Sequence, residues 1–103
     1  MNEMNALIKL LATAYIPFEV RIIEIALGEQ ASSLQVCVPS ADNCVTDAIC
    51  HDFSYGGPKG LLEVMFDGEM MKAEDDVVGY LTARGAFELM RKAYNMEVAR
   101  GRA

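Results

Sequence analysis

Apolar and polar positions along the chain change period several times, and each change marks an element. Met4, Leu7, Ile8 and Leu11 fall at i, i+3, i+4 and i+7, the stripe of an amphipathic helix over 3–14. Pro17 stops that helix, because proline biases the residue before it away from helical geometry. Phe18 to Ala26 is rich in Val and Ile and reads as a strand. Val20, Ile22 and Glu24 share one of its faces, and Arg21, Ile23 and Ile25 the other. Apolar side chains on both faces point to a central strand or to a bulge near Ile22–Ile23. After the turn "LGEQASS", "LQVCV" is a short strand, Leu34 to Val38, and "PSADN" a tight loop of turn formers. "CVTDAICH" is a third strand, Cys44 to His51; the loop "DFSYGGPKG" leads into "LLEVMF", a fourth. "DGEMMKAEDDVVGY" is acidic without a clear period and reads as an irregular crossover. Thr82 is a helix N-cap, and Ala86, Phe87, Met90, Ala93 and Tyr94 form a second apolar stripe. The closing "RGRA" reads as a frayed tail.

The order is helix, four strands, helix. Short connections make neighbouring strands antiparallel, and the two amphipathic helices cover one apolar face of the sheet. The expected fold is therefore α+β: a four-stranded, mainly antiparallel sheet covered by N-terminal and C-terminal helices, one compact domain over residues 1–103. Its expected core is Leu7, Leu11, Phe18 or Val20, Ile23, Ile25, Val36, Ile49, Leu62, Val64, Phe66, Phe87 and Met90.

Composition narrows the class. Apolar residues make up 52% and charged residues 23%, as in a globular chain able to bury a core without staples. No apolar run approaches the ~20 residues of a membrane span, and the start lacks the basic segment and cleavage site of a signal peptide. A cytoplasmic protein with reduced thiols is expected. The nine Lys and Arg are scattered in a chain of net charge −6, which argues against general nucleic-acid binding. Three cysteines exclude a complete internal disulfide framework.

Several chemistries fail on spacing. Cys37, Cys44, Cys50 and His51 resemble a zinc set only when written on a line. On one strand, Cys44 and Cys50 would lie ~20 Å apart at ~3.3 Å per residue, beyond the reach of one ion with bonds of ~2.3 Å. Cys50 and His51 would point to opposite faces, so no thiol–imidazole pair forms between them. Cys37 and Cys44 are another matter: a hairpin pairing Val38 with Asn43 sets these thiols directly opposite each other, as buried filler that oxidation can join. Glu63 lacks a lysine two residues on, and Asp47 stands alone in its strand, so the Mg²⁺ site of a restriction-endonuclease-like fold is incomplete. No metal or cofactor is expected.

The densest unusual chemistry is "CHDFSYGGPKGLLEV", residues 50 to 64. "GGPKG" is not a P-loop and precedes a strand, so the dipole of a helix N-terminus is missing. Adjacent glycines can still expose N–H groups to an anion, with Lys59 adding charge and Ser54 and Tyr55 hydroxyls. The plain alternative is a hairpin loop whose glycines adopt positive φ. The stretch reads as both a connection and half of a recognition surface. Glu74, Asp75 and Asp76 read as a solvated acidic bend or as a face for a basic partner; Met65, Met70 and Met71 read as adaptable apolar surface or core.

The segments "PFEV", "CVTDAICHDFSYGGPKGLLEV" and "VVGYLTARGAFELM" carry the pattern C-x5-C-H-x2-S-Y-G, then G-L-L-E, then G-Y-L-T-A. Over roughly residues 4 to 94 the chain resembles small uncharacterised proteins encoded by phages, prophages and mobile elements of Firmicutes. The resemblance brings no activity with it; it implies a small accessory protein that neutralises a host defence component. Some such proteins resemble anti-CRISPR inhibitors, which block a protein, and others resemble sponges, which sequester a cyclic nucleotide signal without cutting it. The expected function is sequestration of a nucleotide-like ligand without catalysis. His51 and Tyr55 would flank a base, and Ser54, the Gly56–Gly57 backbone and Lys59 would take phosphates, with Arg84 as a further partner. The alternative is an acidic inhibitor of a host defence protein, and less readily a small metal or thiol enzyme. A homodimer would enlarge a shallow site in each case.

Overall fold

The computed structural model describes residues 3–24, 32–51, 54–66 and 77–101, with side chains at all of these but 23, 24, 32 and 33. In chain order the elements are α1 (Glu3–Thr13), β1 (Glu19–Glu24), β2 (Ser32–Pro39), β3 (Cys44–Ile49), a 3₁₀ turn (Gly57–Lys59), β4 (Leu62–Phe66), β5 (Val77–Leu81) and α2 (Ala83–Ala99). The strands form one antiparallel sheet in the order β1-β2-β3-β4-β5. The α+β class and the two covering helices agree with the sequence reading; the strand count does not. Val77–Leu81, whose first four residues were expected to be irregular, is a fifth strand along β4.

One face of the sheet carries Val36, Val38, Thr46, Ala48, Val64 and Phe66, all buried. Against it packs α2, through Ala86, Phe87, Met90 and Ala93, with α1 beside α2 contributing Leu7 and Leu11. Of the expected core, Leu7, Leu11, Val36, Leu62, Val64, Phe66, Phe87 and Met90 are buried, and Phe18 packs partly against them. Ile49 is only half-buried because it lies on the reverse face, and Val20 is largely exposed because it stands on the outermost strand. The Ile23 side chain, Ile25, Met70, Met71 and the acidic residues 74–76 lie outside the described residues.

Helix α1 ends at Thr13, before Pro17 acts. The Ile16 N–H donates to the Leu11 carbonyl and the Tyr15 N–H to the Ala12 carbonyl, both at 3.1 Å. These are the paired bonds of a Schellman motif, and the buried Leu11 and Ile16 supply its usual apolar contact. The left-handed position is held by Tyr15, φ 59°, where glycine is commonest. Its side chain is 93% exposed and has little packing to lose. Tyr15→Gly is expected to stabilise the fold by about 1 kcal/mol, read from a urea midpoint, by removing the left-handed penalty.

The start of α2 is tied to α1. Thr82 Oγ accepts the Gly85 N–H at 3.2 Å, the expected N-cap, and Glu3 Oε1 accepts the Ala83 N–H at 2.6 Å. A carboxylate from one helix thus satisfies an orphan donor, and meets the positive end of the dipole, of the other.

Candidate functional site

The turn after β3 is built by its own hydrogen bonds. Strand β3 stops at Ile49, so Cys50 and His51 stand beyond it and do not point from opposite faces of a strand. The Ser54 hydroxyl accepts the His51 N–H at 2.9 Å and donates to the His51 carbonyl at 2.9 Å; the Ser54 N–H donates to the same carbonyl at 3.1 Å. Gly57, Lys59, Gly60 and Leu61 all donate their N–H groups back into the turn. Gly56 and Gly60 take left-handed conformations, φ 91° and 78°, either side of the 3₁₀ segment. Gly57 is required by space: a Cβ there would stand 1.7 Å from the His51 carbonyl oxygen and 2.4 Å from Ser54 Oγ.

The turn is then clasped to β5. The β4–β5 ladder shifts register between Leu62 and Val64, so Gly79 and Tyr80 bulge opposite Glu63. The peptide groups of Tyr55 fill the opening. Its N–H donates to Oε1 of the buried Glu63 at 2.7 Å, and its carbonyl accepts the Tyr80 N–H at 3.1 Å. Glycine at 79 makes room, since a Cβ there would come within 2.2 Å of Tyr55 Cβ. Tyr80 holds a left-handed conformation, φ 60°, uncommon for a bulky residue.

The residues expected to form the site therefore separate. Ser54 is buried with its hydroxyl spent inside the turn, and the N–H of Gly57 is spent likewise. Tyr55 is 62% exposed and Tyr80 61% exposed, and a backbone hydrogen bond joins the two residues. Lys59 is exposed on the same turn and His51 is half-buried at its base. Arg84 pairs instead with Glu88 along α2, at 3.9 Å, and lines a groove of about 580 Å³ with α1 residues Glu3, Ala6, Lys9, Leu10 and Thr13. A second cavity, of about 620 Å³, runs along α2 from Glu88 to Ala99. Neither is lined by the turn. Sequence reasoning missed Tyr80 and Glu63; the glycine inside "VVGYL" was the available sign of a bulge.

On the reverse face, Cys37 lies opposite Asp47, not Cys44: Cys44 pairs with Pro39, and a register shift at Val38/Pro39 leaves Val45 as an extra residue. The two thiols still reach each other diagonally across that bulge, within hydrogen-bonding distance. Burial pushes both upward, Cys44 to about 12, with the Asp47 carboxylate adding to it in each case. Cys44 Sγ lies 3.3 Å from the Thr46 carbonyl and Cys50 Sγ 4.0 Å from that of Gly57, at opposite ends of β3. Among the described residues no cluster of three or more His, Cys, Asp or Glu is placed to hold a metal ion.

Against an ordinary thiol at 9.0, Cys44 at pH 8 holds about a thousandfold less thiolate. Native Cys37 and Cys44 should therefore resist iodoacetamide and label only after unfolding, as peptide mass spectrometry would show. These protonated thiols favour the folded state fully below pH 9, and that contribution is lost as pH rises from 9 towards the raised values.

No helix among the described residues is long and apolar enough to cross a membrane. Comparison with protein families, with curated proteins and with solved structures returns no match to this chain.

Proposed function

We propose that this is a non-catalytic binding protein whose recognition surface is the rim formed by the 54–60 turn and the bulge of β5. One observation carries the reading: two exposed tyrosines are joined by a backbone hydrogen bond, and the other peptide group of Tyr55 is already taken by Glu63. Such a surface presents rigid aromatic area at low entropic cost, the chemistry enriched at protein interfaces. It is open, and the Gly57 N–H, expected to take a phosphate, is turned inward to the Ser54 carbonyl. A protein surface therefore suits it better than an enclosed nucleotide, with Lys59 at the margin for an acidic group. The resemblance to phage and mobile-element proteins gives the context: the chain counters a host defence protein by occupying it.

Expression in a bacterial host carrying a defined defence system tests this. The wild-type chain is expected to restore plaques of a restricted phage. Tyr55→Ala, folded by circular dichroism, should weaken that relief about tenfold or more. Full relief by the variant contradicts the reading. Saturable thermal stabilisation by cyclic or linear nucleotides, following RT ln(1+[L]/Kd), would favour the small-ligand alternative.

A further inference from the structure

The other edge of the sheet points to a second copy of the chain. Among the described residues β1 pairs only with β2, so its outer side presents an unused row of backbone donors and acceptors. Its exposed residues are not all polar. On the side facing the helices, Val20 is 40% and Ile22 71% exposed, with Phe18 half-buried before them. On the reverse side, Glu19 and Arg21 are exposed.

We propose that β1 pairs antiparallel with β1 of a second copy about a two-fold axis at Val20. In a continuous sheet, residues directly opposite each other point to the same face, so the axis must pass through a residue and not between two. An axis at Arg21 sets two guanidinium groups against each other, which is unfavourable. An axis at Ile22 sets Arg21 opposite position 23 and gives its charge no opposite partner. An axis at Val20 sets Glu19 opposite Arg21 twice, Ile22 opposite Phe18 twice, and Val20 opposite itself. Charge and apolar patterns thus agree in a single register. The charges that would blunt an edge against random pairing here specify one pairing. The turn between β2 and β3 helps to position the carboxylate, since Glu19 Oε1 accepts the Ala41 N–H at 2.8 Å; the other oxygen is left for Arg21 of the second copy.

The strand β5 is unsuited to the same role, because its ladder is broken at Gly79 and Tyr80. A dimer through β1 forms a continuous sheet of about ten strands and leaves a tyrosine rim at each far end. The pairing is independent of what those rims bind.

Sedimentation velocity of the whole chain, from about 1 to 100 μM, tests the proposal. The wild type is expected to dimerise. Glu19→Arg and Arg21→Glu should each weaken the dimer about tenfold or more, since each makes both cross-strand pairs like-charged. An equimolar mixture of the two should recover it, because one chain then carries two cations at positions 19 and 21 and the other two anions. With copper–phenanthroline as oxidant, Val20→Cys should cross-link through position 20, whereas Ile22→Cys should not cross-link through position 22. A wild type that stays monomeric overturns the proposal, as does a dimer indifferent to both charge reversals. A dimer in which Val20→Cys fails to cross-link overturns the register.

Discussion

Replacing Gly57 with alanine should cost about 3 kcal/mol and lower the thermal midpoint by about 10 °C or more. The cause is not φ, since this glycine is not in the left-handed region; it is contact. A Cβ would meet the His51 carbonyl oxygen at 1.7 Å and the His51 carbonyl carbon at 2.7 Å. That carbonyl accepts from both the N–H and the hydroxyl of Ser54. It cannot withdraw without breaking the bonds that close the turn. Gly60 is the internal control. It holds φ 78° with nothing within 4 Å of a built Cβ. Gly60→Ala should therefore cost only the left-handed penalty, about 1 kcal/mol. Calorimetry of the two variants separates close approach from conformational preference. Equal losses would mean that the turn does not fold back on His51.

Tyr80→Gly should do the opposite to stability and still damage function. A left-handed tyrosine costs on the order of 1–2 kcal/mol, and this side chain is too exposed to recover that by packing. Glycine removes the penalty, so the free energy of unfolding should rise by about 0.5–1 kcal/mol after its own entropic cost. Tyr80→Ala keeps the strained φ and gains nothing. Both variants lose the aromatic ring, and both should weaken relief of host defence about tenfold. Stability and activity then move apart in the glycine variant. That pattern is expected where strain is retained for recognition. A glycine variant that is less stable than wild type would show that Tyr80 is held by packing.

Much of the scaffold was legible because it rests on period. The stripe Met4, Leu7, Ile8, Leu11 and the Thr82 cap needed no tertiary information, since each is a local pattern with one physical solution. Strand β5 escaped because Gly79 breaks its alternation and acidic residues run up to its start. The β2–β3 register escaped because the hairpin closes with Cys44 opposite Pro39, and one extra residue at Val45 then moves the partner of Cys37 a further position, to Asp47. At the turn, the sequence showed which groups were present but not which were already satisfied. Ser54 looked like a ligand for phosphate and is a buried strut. Glu63 looked like part of a failed metal set and instead anchors the Tyr55 amide. The proposed recognition surface depends on a bulge that joins Tyr55 to Tyr80 across twenty-five positions of sequence, a pairing no local pattern announces.

That the tyrosine rim is built in advance, with the turn clasped to β5, is tested most directly by amide hydrogen exchange at Tyr55 and Tyr80. One amide donates to the Glu63 carboxylate and the other to the Tyr55 carbonyl. Both should exchange as slowly as the amides of β4, and Glu63→Ala should release the Tyr55 amide first. Exchange of both in the wild type at the rate of an unstructured peptide would contradict the account.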